Sequence, residues 1–217
     1  MKMLNKKMIL PVVYVLAYLL TFYVVIQYII YKPSQAGAVS SKLQDASFHY
    51  EIWKLFFYPH ILLGIAALLI GAYQLTKSSR RNPKRHKMLG RIYGVSILIN
   101  VLVVPYIALY ATGGTPTTIA FLVLDVFWLG TTVIGIRHIL RKNITAHRQW
   151  MLRSYAVTFV FVSFRIVLPI IQLSTDAPMS VTFPLAVYIG IAINLVFTEL
   201  YLKKRTRNTS KPIEEVA

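Results

Sequence analysis

Six predominantly apolar runs, at residues 8–31, 55–75, 88–111, 118–139, 150–173 and 181–202, leave this chain few ways to fold. Each reaches the roughly 20 residues that a helix needs to cross about 30 Å of hydrocarbon. In lipid every backbone amide must find its partner within the protein, which makes such runs helices. The expected class is therefore all-α. We read one polytopic bundle of six transmembrane helices over residues 1–205, followed by a disordered tail at 206–217.

The formal charge of +17 would suit a nucleic-acid binder, but its distribution argues otherwise. Of 24 Lys and Arg, 20 fall in or beside four segments, at 2–7, 77–91, 137–153 and 203–211. With six spans these four segments share one side of the membrane. The excess of cations makes that side cytoplasmic, with both termini inside. Anionic lipid headgroups are the expected partner of such a surface, and nucleic acid is not. The location expected is a bacterial cell membrane, crossed several times. The first run, about 23 residues, is too long for a cleaved signal and reads as an uncleaved span. With no cysteine, disulfides, thiolate ligands and iron–sulfur clusters are all excluded.

One phrase occurs twice. RRNPKRHKMLGRIY begins at Arg80 and RKNITAHRQWMLRSY at Arg141. In each, two cations precede an Asn, a His follows the Asn by four residues, and an Arg–x–Tyr closes the phrase. Spans two plus three and four plus five thus read as two copies of one hairpin, with His86 and His147 at equivalent ends. Arg91, Tyr93, Arg153 and Tyr155, joined by Glu199 from the last span, form an expected inner interfacial cluster. There Glu199 answers Arg91 or Arg153, and the tyrosines sit at headgroup level. Arg and Tyr two apart diverge by about 200° on a helix, so only one of each pair faces the bundle.

Charges inside spans are the informative ones, because each costs at least about 2.5–3.5 kcal/mol near the bilayer centre. Arg165 and Asp125 lie at matching depths in consecutive spans, which predicts an ion pair. His60 enters at similar depth, giving an outer polar cluster of His60, Asp125 and Arg165. A different chemistry follows if the histidines are ligands. His86 and His147 on facing helices, with His60 as a further candidate, are suited to binding b-type haem or a metal. The six spans and the His pair are similar to the cytochrome b561 arrangement. The flanking charges depart from it, since such ligands lie within the spans.

The runs PHILLGIAALLIGAYQL, HKMLGRIYG and HRQWMLRSYAVTFVFVSFRIVLP, over about residues 55–175, resemble a bacterial family of predicted membrane proteins, domain of unknown function 2306. The resemblance matches His60, then His86, Gly90, Arg91 and Tyr93, then His147, Trp150, Arg153 and Tyr155, with Arg165 downstream. Lys87 stands where Arg is more usual. The resemblance implies no activity, cofactor or substrate. It does imply that these polar residues belong to one site or scaffold. Three function classes stay open: a non-catalytic membrane component, a haem-binding redox protein, and a small proton-linked transporter using His60, Asp125 and Arg165.

Overall fold

The computed structural model describes residues 6–31 and 33–209. Nine α-helices lie among them: α1 Lys6–Val25, α2 Gly37–Ser40, α3 Tyr50–Gln74, α4 Lys77–Arg81, α5 Pro83–Ala108, α6 Thr115–Leu140, α7 Ile144–Thr158, α8 Val160–Ser174 and α9 Met179–Thr209. Six stretches, Ile9–Ile30, Tyr50–Gln74, Pro83–Ala108, Thr115–Leu140, Ile144–Ser174 and Met179–Arg207, are long and apolar enough to span a bilayer. The all-α, multi-pass expectation holds. The helix α9 runs on to Thr209, so the start of the expected tail is helical, and residues 210–217 lie outside the described part.

The repeated phrase explains why two spans start earlier than hydropathy alone suggests. Asn82 and Asn143 are N-caps: their Oδ1 atoms accept from Arg85 N and Ala146 N, each at 3.0 Å. Capping satisfies a backbone donor that the first turn leaves open. It lets α5 and α7 begin inside polar sequence, so His86 and His147 fall in first turns, donating their amides to Asn82 O and Asn143 O.

The two hairpins are the closest-packed pairs, α3 along α5 and α6 along α7. The core between them contains Ala67, Ala72, Tyr93, Ile97, Trp128, Tyr155 and Val160. Gly71 permits the approach, because a Cβ there would collide with the rings of both Tyr155 and Tyr93. Gly64, two helical turns away, has nothing within 4 Å of where its Cβ would stand.

The span Ile144–Ser174 breaks between α7 and α8 at Phe159 rather than at Pro169. Thr158 Oγ1 donates back to Ser154 O at 3.0 Å, a contact that competes with the helical ladder and favours a bend. From α9, Asn194 Nδ2 ties the two halves together, donating to Ala156 O and Ser163 Oγ, each at 3.0 Å. Beyond the break, α8 packs mainly on α9.

At the far end from the basic turns, α2 and short 3₁₀ turns at Pro33–Gln35 and Lys42–Gln44 connect α1 to α3. They are pinned by an aromatic cluster in which Phe48 meets Trp53 at 5.5 Å and Tyr110 at 5.1 Å between ring centroids. In this segment desolvation lowers the Lys42 amine from 10.5 to about 8. A lowered lysine pKa means that the fold prefers the neutral amine. Its contribution is unfavourable below about pH 8 and is relieved as pH rises toward the unfolded value. We expect acylation of Lys42, followed by mass spectrometry, to titrate with a midpoint near pH 8. A midpoint above 10 would contradict it.

Candidate functional site

The polar residues form three groups. At the basic end, Gln74, Ser79 and His86 interlock. Gln74 Nε2 donates to His86 O at 2.8 Å, which fixes the orientation of the amide. Ser79 Oγ then donates to Gln74 Oε1 at 2.6 Å. A hydroxyl has one proton, so the 2.9 Å contact between Ser79 Oγ and His86 Nδ1 is donated by the histidine. His147 Nδ1 lies 2.9 Å from Gly135 O, which can only accept. Each neutral ring thus carries its proton on Nδ1 and its lone pair on Nε2. The two histidines have matching roles in the two hairpins: each is anchored to the end of the preceding helix or turn.

The rest of the inner cluster divides. Arg153 makes a two-pronged pair with Glu199, through Nε to Oε1 at 2.5 Å and Nη2 to Oε2 at 2.9 Å, and stacks over Trp150 at 4.7 Å. Glu199 therefore answers Arg153, and Arg91 is exposed. Tyr93 and Tyr155 do not sit in a headgroup belt. Both are buried in the core, on the bundle side of the 200° divergence. The belt reading failed because Gly71 leaves a recess into which both rings pack.

Around Tyr93 the second group is a buried network. The Tyr93 hydroxyl lies 2.8 Å from Ser154 Oγ and 2.9 Å from Thr158 Oγ1. Trp128 Nε1 donates to Thr158 Oγ1 at 2.8 Å, and Thr132 Oγ1 reaches Ser154 Oγ at 2.7 Å. Because Thr158 gives its own proton to Ser154 O, it accepts from both Trp128 and Tyr93. Thr132 Oγ1 in turn donates to Trp128 O at 2.7 Å, so Ser154 gives its proton to Thr132 and Tyr93 gives its own to Thr158.

The third group is the outer cluster, which forms only in part. His60 Nδ1 lies 2.8 Å from Asn100 Oδ1, and Asn100 Nδ2 donates to Ser96 O at 3.2 Å. That orients the amide, so His60 also carries its proton on Nδ1. Arg165 and His60 line one half-open cavity of about 80 Å³ between α1, α3 and α8. Asp125 is elsewhere. The expected Asp125–Arg165 ion pair is absent: Arg165 Nη1 donates to Phe161 O of its own helix at 2.9 Å, while Asp125 Oδ2 is buried without a hydrogen-bond partner. Past Phe159, α8 stays beside α6, with Phe161 on Trp128 and Phe164 on Phe121 at 5.2 and 6.0 Å between ring centroids. Past the bend, α8 turns Arg165 toward α1 and α3.

Among the described residues no group of three or more His, Asp or Glu is placed to hold a metal ion. Neither the cavity above nor a second one beside Arg137, His138 and Arg141 touches His86 or His147. Asn100, Gln74, Ser79 and Asn194 went unnoticed in the sequence because neutral polar side chains lack the membrane cost that flags a charge. The amides Asn100 and Asn194, inside otherwise apolar runs, were the one signal available.

The signature of predicted membrane proteins in family DUF2306 matches residues 57–202. The chain belongs to this family. The match takes in α9 with Asn194 and Glu199, one span more than the resemblance suggested, and leaves α1 outside. No curated protein and no solved structure matches the chain.

Proposed function

We propose that this DUF2306 protein is a non-catalytic component of the cell membrane that holds anionic lipid headgroups at its basic, cytoplasmic end. One observation carries the reading: cations from three separate segments converge there. Burial, then the charges of Arg148 on α7 and Arg205 on α9, depress the guanidinium of Arg80 on α4. Arg80 Nη1 is oriented by Leu75 O at 3.2 Å. Like charges drawn together gain from a phosphate supplied by the bilayer, at about 1 kcal/mol per nearby cation. Titrating detergent-solubilised protein with phosphatidylglycerol is expected to raise its melting temperature more than phosphatidylcholine does. High salt should erase the difference, and equal shifts would refute the reading.

A second reading, a redox protein holding b-type haem, is favoured by the tautomers of His86 and His147. Each offers Nε2 as a ligand while Nδ1 is held by a protein acceptor, the arrangement that orients ligating histidines. Protein purified from haem-replete cells and showing no Soret band would remove it. Transport through His60, Asp125 and Arg165 gains no support from the geometry, because Asp125 stands apart from the other two.

A further inference from the structure

The cavity between α1, α3 and α8 carries an inference independent of the basic end. Arg165 is an exposed cation about 14 Å in from the end of α8, nine residues before Ser174. Its one hydrogen bond is to a carbonyl of its own helix, and no carboxylate among the described residues pairs with it. Such a group is expensive in a bilayer unless something answers its charge. The walls beside it are apolar, from Leu20 and Val24 on α1 and Ile61 and Ile65 on α3. Gly64 widens the opening, since nothing lies within 4 Å of its missing Cβ.

We propose that this cavity binds the head of a long-chain carboxylic acid, with Arg165 and His60 as its two polar contacts. A carboxyl has both halves of the required complement. On binding, the acid's proton passes to the His60 Nε2 lone pair that the Asn100 contact leaves available, and the carboxylate so formed accepts from the Arg165 guanidinium through one oxygen and from the imidazolium through the other. A phosphodiester headgroup has the charge but no proton to give His60. It would also have to draw its glycerol esters well below the interface. The volume, about 80 Å³, holds two or three waters' worth of head, and the open side lets an acyl chain lie along α1 and α3.

Radiolabelled palmitic acid is the probe, added to wild-type protein in neutral-lipid nanodiscs. We expect saturable binding near one per chain, displaced by unlabelled palmitate and not by methyl palmitate, hexadecanol or phosphatidylglycerol. Arg165→Gln should weaken it at least tenfold. Arg165→Lys should retain part, since the charge remains but the fork is lost. Gly64→Leu, which fills open space without touching a polar contact, should abolish saturable binding while the melting temperature holds. If methyl palmitate competes as well as palmitate, or Gly64→Leu binds normally, the proposal fails. Stronger displacement by phosphatidylglycerol than by palmitate would also overturn it.

Discussion

Gly71→Ala is expected to be the most damaging single-methyl change in this protein. The new Cβ would overlap the Tyr155 and Tyr93 rings at once, and both rings are buried. Overpacking a filled core costs about 1–3 kcal/mol, and two rigid aromatics place this site at the upper end. Relief requires α3 to move away from α5 and α7, which loosens both hairpins. Gly64→Ala on the same helix is the control, because its Cβ meets open space. Replacing glycine with alanine in a helix interior is worth roughly 0.5–1 kcal/mol in its favour. The two substitutions should therefore move the thermal or denaturant midpoint in detergent in opposite directions. Equal effects would mean that the close approach at Gly71 is not formed.

Thr158→Val comes second. The replacement has nearly the same shape, so no cavity opens, but the acceptor shared by Trp128 Nε1 and the Tyr93 hydroxyl disappears. Leaving a buried donor unmet costs about 1–3 kcal/mol. Hydrogen bonds between membrane helices average nearer 0.6 kcal/mol, because the unfolded chain in lipid finds other partners. With Trp128 Nε1 orphaned and the Tyr93 hydroxyl left only Ser154 Oγ, a loss of about 1–3 kcal/mol follows. Tyr93→Phe removes one of those donors, so the double variant Thr158→Val with Tyr93→Phe should lose less than the sum of the two singles. Strict additivity in that cycle would show that the network is not coupled.

Both sites show where the sequence could be read and where it could not. Span number and order were legible because hydrocarbon demands length and apolarity together, and six runs met both conditions. Span starts were misjudged at Asn82 and Asn143, since a cap lets a helix begin in polar sequence that hydropathy counts as loop. The duplicated phrase was legible as a repeat. Its Asn was not recognised as a cap, nor its His as a ring anchored to the preceding turn. Spacing along a helix gives depth, and depth is not azimuth. The bend at Phe159, caused by neutral hydroxyls rather than by proline, rotates Arg165 away from α6. Tyr93 and Tyr155 looked interfacial beside their arginines, and only the glycine on a different helix reveals that they are core.

The family assignment leaves the role of the basic end as the central question. Arg80 and Arg148 are far apart in sequence and on different hairpins, yet the charge of Arg148 helps to depress the Arg80 guanidinium. The proposed lipid-phosphate site rests on that convergence. Lipid retention through purification tests it most directly, by mass spectrometry of lipid co-purifying with wild-type protein and with the double variant Arg80→Gln, Arg148→Gln. At about 1 kcal/mol per cation, removing two lowers the affinity roughly thirtyfold. Anionic lipid should be enriched over its share of the membrane in the wild type and fall to that share in the variant. The same enrichment in both, or none in either, would contradict the account.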